Sequence, residues 1–110
     1  SKQKMVSARH ILMSSEADIL QAKKRIDNGE RFAQVAKALS ICPSSKQDGG
    51  DLGVFKPGEL NTAFDRICFN PELAPVGEVV GPFKTHFGWH LFRVDFRTGF
   101  SNDDDGKKNQ

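Results

Sequence analysis

The sequence has no tyrosine, one tryptophan and two cysteines among its 110 residues. Cys42 and Cys68 form no Cys-x-x-Cys pair, and a small secreted domain short of core generally carries more cysteines at framework spacings. They are read as free thiols of a reducing compartment, which makes the cytoplasm the expected location; a single disulfide stays the alternative. No apolar run approaches the roughly 18–20 residues of a membrane span, and the opening residues do not read as a signal peptide. The chain starts at Ser1 rather than Met, which leaves open a removed leader, a periplasmic setting or a larger chaperone as parent. Sixteen Lys and Arg against fourteen Asp and Glu give a charge of only +2. Nucleic acid is not an expected partner, because the clustered basic face it needs is missing. A monomer is expected for so small and evenly charged a surface, and no internal repeat is found.

What is there is core material. Nine Phe and a hydrophobic fraction of 37% suffice for one compact domain and argue against a disordered chain. After a polar arm over residues 1–5, Val6 to Met13 alternates, with Val6, Ala8, His10 and Leu12 on one face of a strand. Ser15-Glu16-Ala17-Asp18 matches a capping box. Ile19, Ala22 and Ile26 continue at one-face helical spacing until Asn28-Gly29. Phe32, Val35, Ala36 and Leu39 mark a second helix, and Pro43 ends that region. A polar loop, Ser44 to Gly50, leads to a short strand, Leu52 to Phe55, and a turn at Pro57-Gly58. A third helix is expected over Leu60 to Phe69, with Leu60, Ala63, Phe64 and Ile67 together and Cys68 a buried small hydrophobe. Val79 to Thr85 and His90 to Phe96 read as strands joined by a turn at Gly88. The second places His90, Phe92, Val94 and Phe96 on one face, with Leu91, Arg93, Asp95 and Arg97 on the other. Residues 6–98 form the expected domain and 99–110 a solvated tail. The order β-α-α-β-α-β-β suits an α+β layer, helices packed on a small, largely antiparallel sheet.

His10 and His90 stand on the apolar faces of their strands. If those strands pair, the two imidazoles can hydrogen-bond to each other, because a neutral ring offers one donor and one acceptor. A histidine on an apolar face is most often a satisfied core residue, and pattern alone takes the pair no further. A zinc site from His10, His90 and Cys42 has suitable donor atoms but not paired ligand spacing, so no metal and no cofactor are expected. His86, beside the Gly88 turn, is expected to be exposed.

Six ordered motifs then add a resemblance: Arg9-His10-Ile11-Leu12, Ser40-Ile41-Cys42-Pro43-Ser44, Gly49-Gly50-Asp51-Leu52-Gly53-Val54-Phe55, Gly58-Glu59-Leu60-x-x-Ala63-Phe64, Val76-Gly77-Glu78-Val79-x-Gly81-Pro82 and Thr85-His86-Phe87-Gly88-Trp89-His90. From Val6 to Phe96 the chain resembles the parvulin-type peptidyl-prolyl cis/trans isomerases. The resemblance implies a four-stranded antiparallel sheet surrounded by helices. It implies a catalytic set of His10, Cys42, Thr85 and His90, with Cys42 at a position that is Cys or Asp in the family. It implies a proline pocket of Leu52, Leu60 and Phe64, with Phe87 at its rim.

The phosphate-directed branch of that family carries a long basic loop after the first strand. Here Met13-Ser14-Ser15-Glu16-Ala17-Asp18 runs straight into a helix and contains two acids, so no cationic fork awaits a phosphate. The implied substrates are proline-containing segments of unfolded or flexible proteins, and the implied activity is rotation about their X-Pro bonds. The histidine, cysteine and threonine set is read as a polar network that fixes the pocket floor, with nucleophilic catalysis by Cys42 as its rival. A non-catalytic module that holds extended chains in the same pocket is the alternative function.

Overall fold

The computed structural model describes residues 3–99. The tail expected over 99–110 lies outside the described residues apart from Gly99, as do residues 1 and 2 of the arm. Strand β1 runs from Met5 to Met13, followed by helices α1 (Glu16–Asp27) and α2 (Phe32–Leu39). A 3-10 turn at Lys46–Asp48 precedes β2 (Asp51–Phe55), α3 (Thr62–Cys68), β3 (Val79–Thr85) and β4 (Gly88–Thr98). The strands form one antiparallel sheet in the order β2-β1-β4-β3, so β1 and β4 are central.

The local reasons match the sequence at most joints. Val6, Ala8, His10 and Leu12 are buried in β1, and so is Ile11. The hydroxyl of Ser15 accepts from the Asp18 N–H at 3.1 Å and starts α1. Asn28 caps its far end, and Gly29 turns the chain out with φ +103. Phe32, Val35 and Ala36 form the buried stripe of α2.

Two expectations are corrected. Helix α3 starts at Thr62, because Asn61 caps it through the Ala63 N–H at 2.9 Å; Leu60 therefore precedes the helix rather than opening it. Arg97, expected on the outer face of β4, is fully buried, while Phe96 is only half-buried. The carbonyl of Cys68, the last residue of α3, and that of Ala74 beyond it accept from its guanidinium, so a charge is retained where alternation alone calls for solvent.

The chain packs as two compact units. Among the described residues, one comprises Arg9–Asp51 and Gly81–Leu91; the other comprises 3–8, Leu52–Val80 and 92–99. The first buries Ile11, Ile19, Phe32, Val35 and Leu91 together with both strand histidines. The second buries Val6, Phe55, Ile67, Cys68, Phe92 and Val94.

Candidate functional site

In the first unit, His10 of β1 and His90 of β4 meet Nδ1 to Nδ1 at 3.1 Å, with ring centroids 5.3 Å apart and planes 25° from parallel. Neither ring exposes any surface. Each uses its second nitrogen on a hydroxyl: His10 Nε2 lies 3.2 Å from Ser45 Oγ, and His90 Nε2 lies 2.7 Å from Thr85 Oγ1. All four ring nitrogens are thus engaged.

Glycine makes this approach of strands feasible. Gly50 (φ +85) receives the His10 N–H on its carbonyl at 2.9 Å, and a Cβ there would run into the His10 carbonyl oxygen. Gly81 (φ +119) stands likewise against the His90 carbonyl, where a Cβ would come within 2.6 Å. Each histidine backbone is therefore flanked by a position that tolerates neither a side chain's bulk nor its preferred φ.

Electrostatics keep the pair uncharged. Desolvation lowers His10 to about 4, and His90 adds to the effect because a proton on one ring disfavours a second on the other. Desolvation alone takes His90 to about 4. At neutral pH both rings are neutral, so one Nδ1 must donate and the other accept.

Ionisation of Cys42 at one end of the row selects the direction. Burial pushes the Cys42 thiol up, but hydrogen bonds from the side chains and backbone of Ser44 and Ser45 outweigh it and hold the thiol below its ordinary value. When Cys42 is a thiolate, Ser45 gives its one proton to sulfur and must accept from His10 Nε2–H. His10 Nδ1 then accepts from His90 Nδ1–H, and His90 Nε2 accepts from the Thr85 hydroxyl. Thr85 Oγ1 in turn accepts the Phe87 N–H at 3.1 Å. Every member of this row is satisfied in one orientation.

Of the four expected catalytic residues, His10, His90 and Thr85 are joined directly, and Cys42 enters through serines. Its Sγ lies 3.3 Å from Ser44 Oγ, and its N–H donates to Ser40 Oγ at 3.3 Å. Ser45, 1% exposed and bonded to His10, has no signal in the sequence beyond membership of a polar loop. Phe87 is 46% exposed; its ring lies 4.2 Å from that of His86, tilted by 34°, and meets His90 edge-on at 6.5 Å. Among the described residues, no group of three or more His, Cys, Asp or Glu could hold a metal ion.

In the second unit, Leu52, Leu60 and Phe64 are all half-buried, each with part of its apolar surface accessible. The Phe64 ring packs edge-on against Phe92 at 5.5 Å and 74°, a geometry aromatic pairs favour. Asp65 Oδ2 accepts the Gly58 N–H at 2.9 Å, which ties the turn before Leu60 to the helix that carries Phe64.

The comparisons with known proteins agree with this architecture. A PrsA foldase of Geobacillus kaustophilus is 38% identical over 89 residues, covering 81% of this chain and 31% of the relative. The chain thus spans about a third of the length of the curated relatives it matches first. The parvulin NmPin of Nitrosopumilus maritimus superposes with TM-score 0.72 at 32% identity, over 90% of this chain and 100% of that one. A chain from work on PEB4 and the periplasmic protein Cj1289, two SurA-like chaperones of Campylobacter jejuni, gives TM-score 0.69 at 30% identity, over 89% and 40% of the two chains. The family model for the rotamase PPIC-type PPIase domain matches residues 7–95, from the start of β1 almost to the end of β4, and the chain belongs to that family.

Proposed function

We propose that this domain catalyses cis/trans isomerisation of X-Pro bonds in unfolded or flexible protein segments, with Leu52, Leu60 and Phe64 holding the proline ring. The observation that carries the reading is the uncharged, fully paired His10–His90 couple. A site built for acyl transfer needs a base that can take a proton near neutral pH; two rings titrating at about 4 and committed to each other are not such bases. Isomerisation makes no such demand.

The barrier to X-Pro rotation is roughly 20 kcal/mol because twisting breaks amide conjugation. In the twisted state the nitrogen regains its lone pair and the carbonyl dipole weakens. A dry apolar surface that grips the ring therefore favours the twisted amide over the planar one. A gain of about 10⁵ in rate needs about 7 kcal/mol of differential binding. His10, His90, Thr85 and Cys42 act as the polar network that holds β1 and β4 in place, and no covalent bond to substrate forms. The two acids in the segment after β1, Glu16 and Asp18, favour substrates without a phosphate before proline.

The comparisons favour the extracytoplasmic alternative over the cytoplasm expected from two thiols, since one similar structure comes from work on a pair of chaperones that includes a periplasmic protein. The foldase and chaperone relatives support unfolded chains as partners.

Magnetisation-exchange NMR of a proline peptide is the test. Added protein should broaden and exchange the cis and trans signals; unchanged exchange with properly folded protein would show a module that only holds chains.

A further inference from the structure

We infer that Arg97 is a positioning residue for the proline pocket, which it serves by clamping the C-terminus of α3 so that Phe64 keeps its place; this rests on the reading of Phe64 as a pocket wall. Arg97 is fully buried near the end of β4. Its Nε and Nη2 both donate to the Cys68 carbonyl, at 3.1 and 2.9 Å, and Nη2 also donates to the Ala74 carbonyl at 2.6 Å.

Helix α3 has seven residues, about 10 Å of helix, too short to stand without tertiary support. Its first N–H groups are served by Asn61, but the last carbonyls of any helix lack partners within it. Cys68 closes α3, and one planar guanidinium satisfies its carbonyl while bringing a positive charge to the negative end of the helix dipole. The same group fastens the turn that follows, where Asn70 Oδ1 accepts the Glu72 and Leu73 N–H groups.

Phe64 lies four residues before Cys68 and so shares its helix face. Strand β4 thus holds α3 at two points, Phe92 against the Phe64 ring and Arg97 on the Cys68 carbonyl. Two points fix both the slide and the roll of a helix on a strand. With Arg97 gone, α3 can pivot about the ring contact, and the pocket wall moves with it. Lysine is a poor replacement, because its three rotatable donors lack the rigid planar fork that meets both carbonyls here.

The test compares wild type, Arg97→Lys and Arg97→Met by NMR exchange over a range of peptide concentrations, well below each melting temperature. The wall grips the twisted amide more tightly than the planar one, so folded Arg97→Lys should lose about three- to tenfold in kcat/KM, with kcat falling as well as KM rising. The Phe64 ring-proton shifts should move as well. Arg97→Met should lower kcat/KM further; if it fails to fold, Arg97→Lys decides alone. A folded Arg97→Lys with wild-type kcat/KM and unmoved Phe64 shifts would overturn the inference, and so would a fall in kcat/KM with unmoved Phe64 shifts, which would place Arg97 in some other role. Should the wild type itself not isomerise, the proposed function fails, and the ring shifts still decide whether Arg97 holds Phe64.

Discussion

His10 and His90 come from positions eighty residues apart and meet through the same ring atom, Nδ1 to Nδ1 at 3.1 Å. A like-to-like contact of this kind forces the two rings into different tautomers, so each defines the other. Their hydroxyl partners, Ser45 and Thr85, are likewise locked into roles by which ring donates.

Replacing either histidine with leucine should therefore destabilise the fold by about 1–3 kcal/mol beyond any change in packing, because the remaining ring keeps a buried nitrogen without a partner. The double substitution removes both polar groups at once and should cost clearly less than the sum. A urea-denaturation cycle measures the coupling. Strict additivity would mean that the two rings do not depend on each other.

Acid should unfold the protein through the same pair. Both rings have folded-state values near 4 against an ordinary 6.5, so between these limits the unfolded chain binds protons that the folded one refuses. Stability thus rises with pH across that window: it is fully present above about 6.5 and is lost as pH falls through 4. A tenfold change in proton affinity is worth about 1.4 kcal/mol, so the pair contributes a few kcal/mol in total. Melting temperature followed from pH 7 to pH 4 should fall steeply, and much less in the double leucine variant. A flat profile in the wild type would contradict the buried, neutral assignment.

How far the sequence alone reached is visible in these residues. Alternation over much of β1 and β4 marks the faces that carry His10 and His90, because a half-buried strand has a period of two. Ser45 and Arg97 escaped for opposite reasons. Ser45 sits in a loop, where no periodicity separates a buried hydroxyl from a solvated one. Arg97 sits in a strand whose alternation assigns it to the outer face, and only the path of the chain through Cys68 and Ala74 supplies the carbonyls that pair its guanidinium. Leu60 fell on the stripe of α3 by spacing, but the Asn61 cap stops the helix one residue short of it. Cys42 and Thr85 are expected in the site only through the six motifs resembling the parvulins, since neither period nor charge distinguishes them.

The two thiols should behave as chemically distinct groups. Burial pushes Cys68 up to about 12, with Arg97 pulling it down and Asp65 pushing it further up, and its side chain has no exposure. Cys42 is partly exposed and held below its ordinary value by Ser44 and Ser45. Native protein should therefore show one thiol reacting promptly with a disulfide reagent and a second only on unfolding. Cys42→Ala and Cys42→Asp should keep activity within about tenfold of wild type, since general polar support, unlike a nucleophile, is worth roughly 1 kcal/mol. Loss to background in a folded Cys42→Ala protein would restore nucleophilic catalysis as the explanation.

Phe64→Ala separates the pocket from the core. The ring is half-buried and leans edge-on against Phe92, so its loss should cost about 1–2 kcal/mol of stability, less than the roughly 3–5 typical of a fully buried Phe. Its effect on catalysis should be larger, because the proposed wall of the proline pocket is removed from the transition state most of all. A fall of about ten- to a hundredfold in kcat/KM is expected, equivalent to about 1.4–2.8 kcal/mol of lost transition-state binding. Phe64→Leu, which keeps apolar bulk without the flat ring, should fall between the two. Calorimetry gives the stability of each variant and peptide exchange gives its rate. A stable Phe64→Ala protein that isomerises at the wild-type rate would show that the ring does not touch proline, and the pocket would have to be sought among other residues.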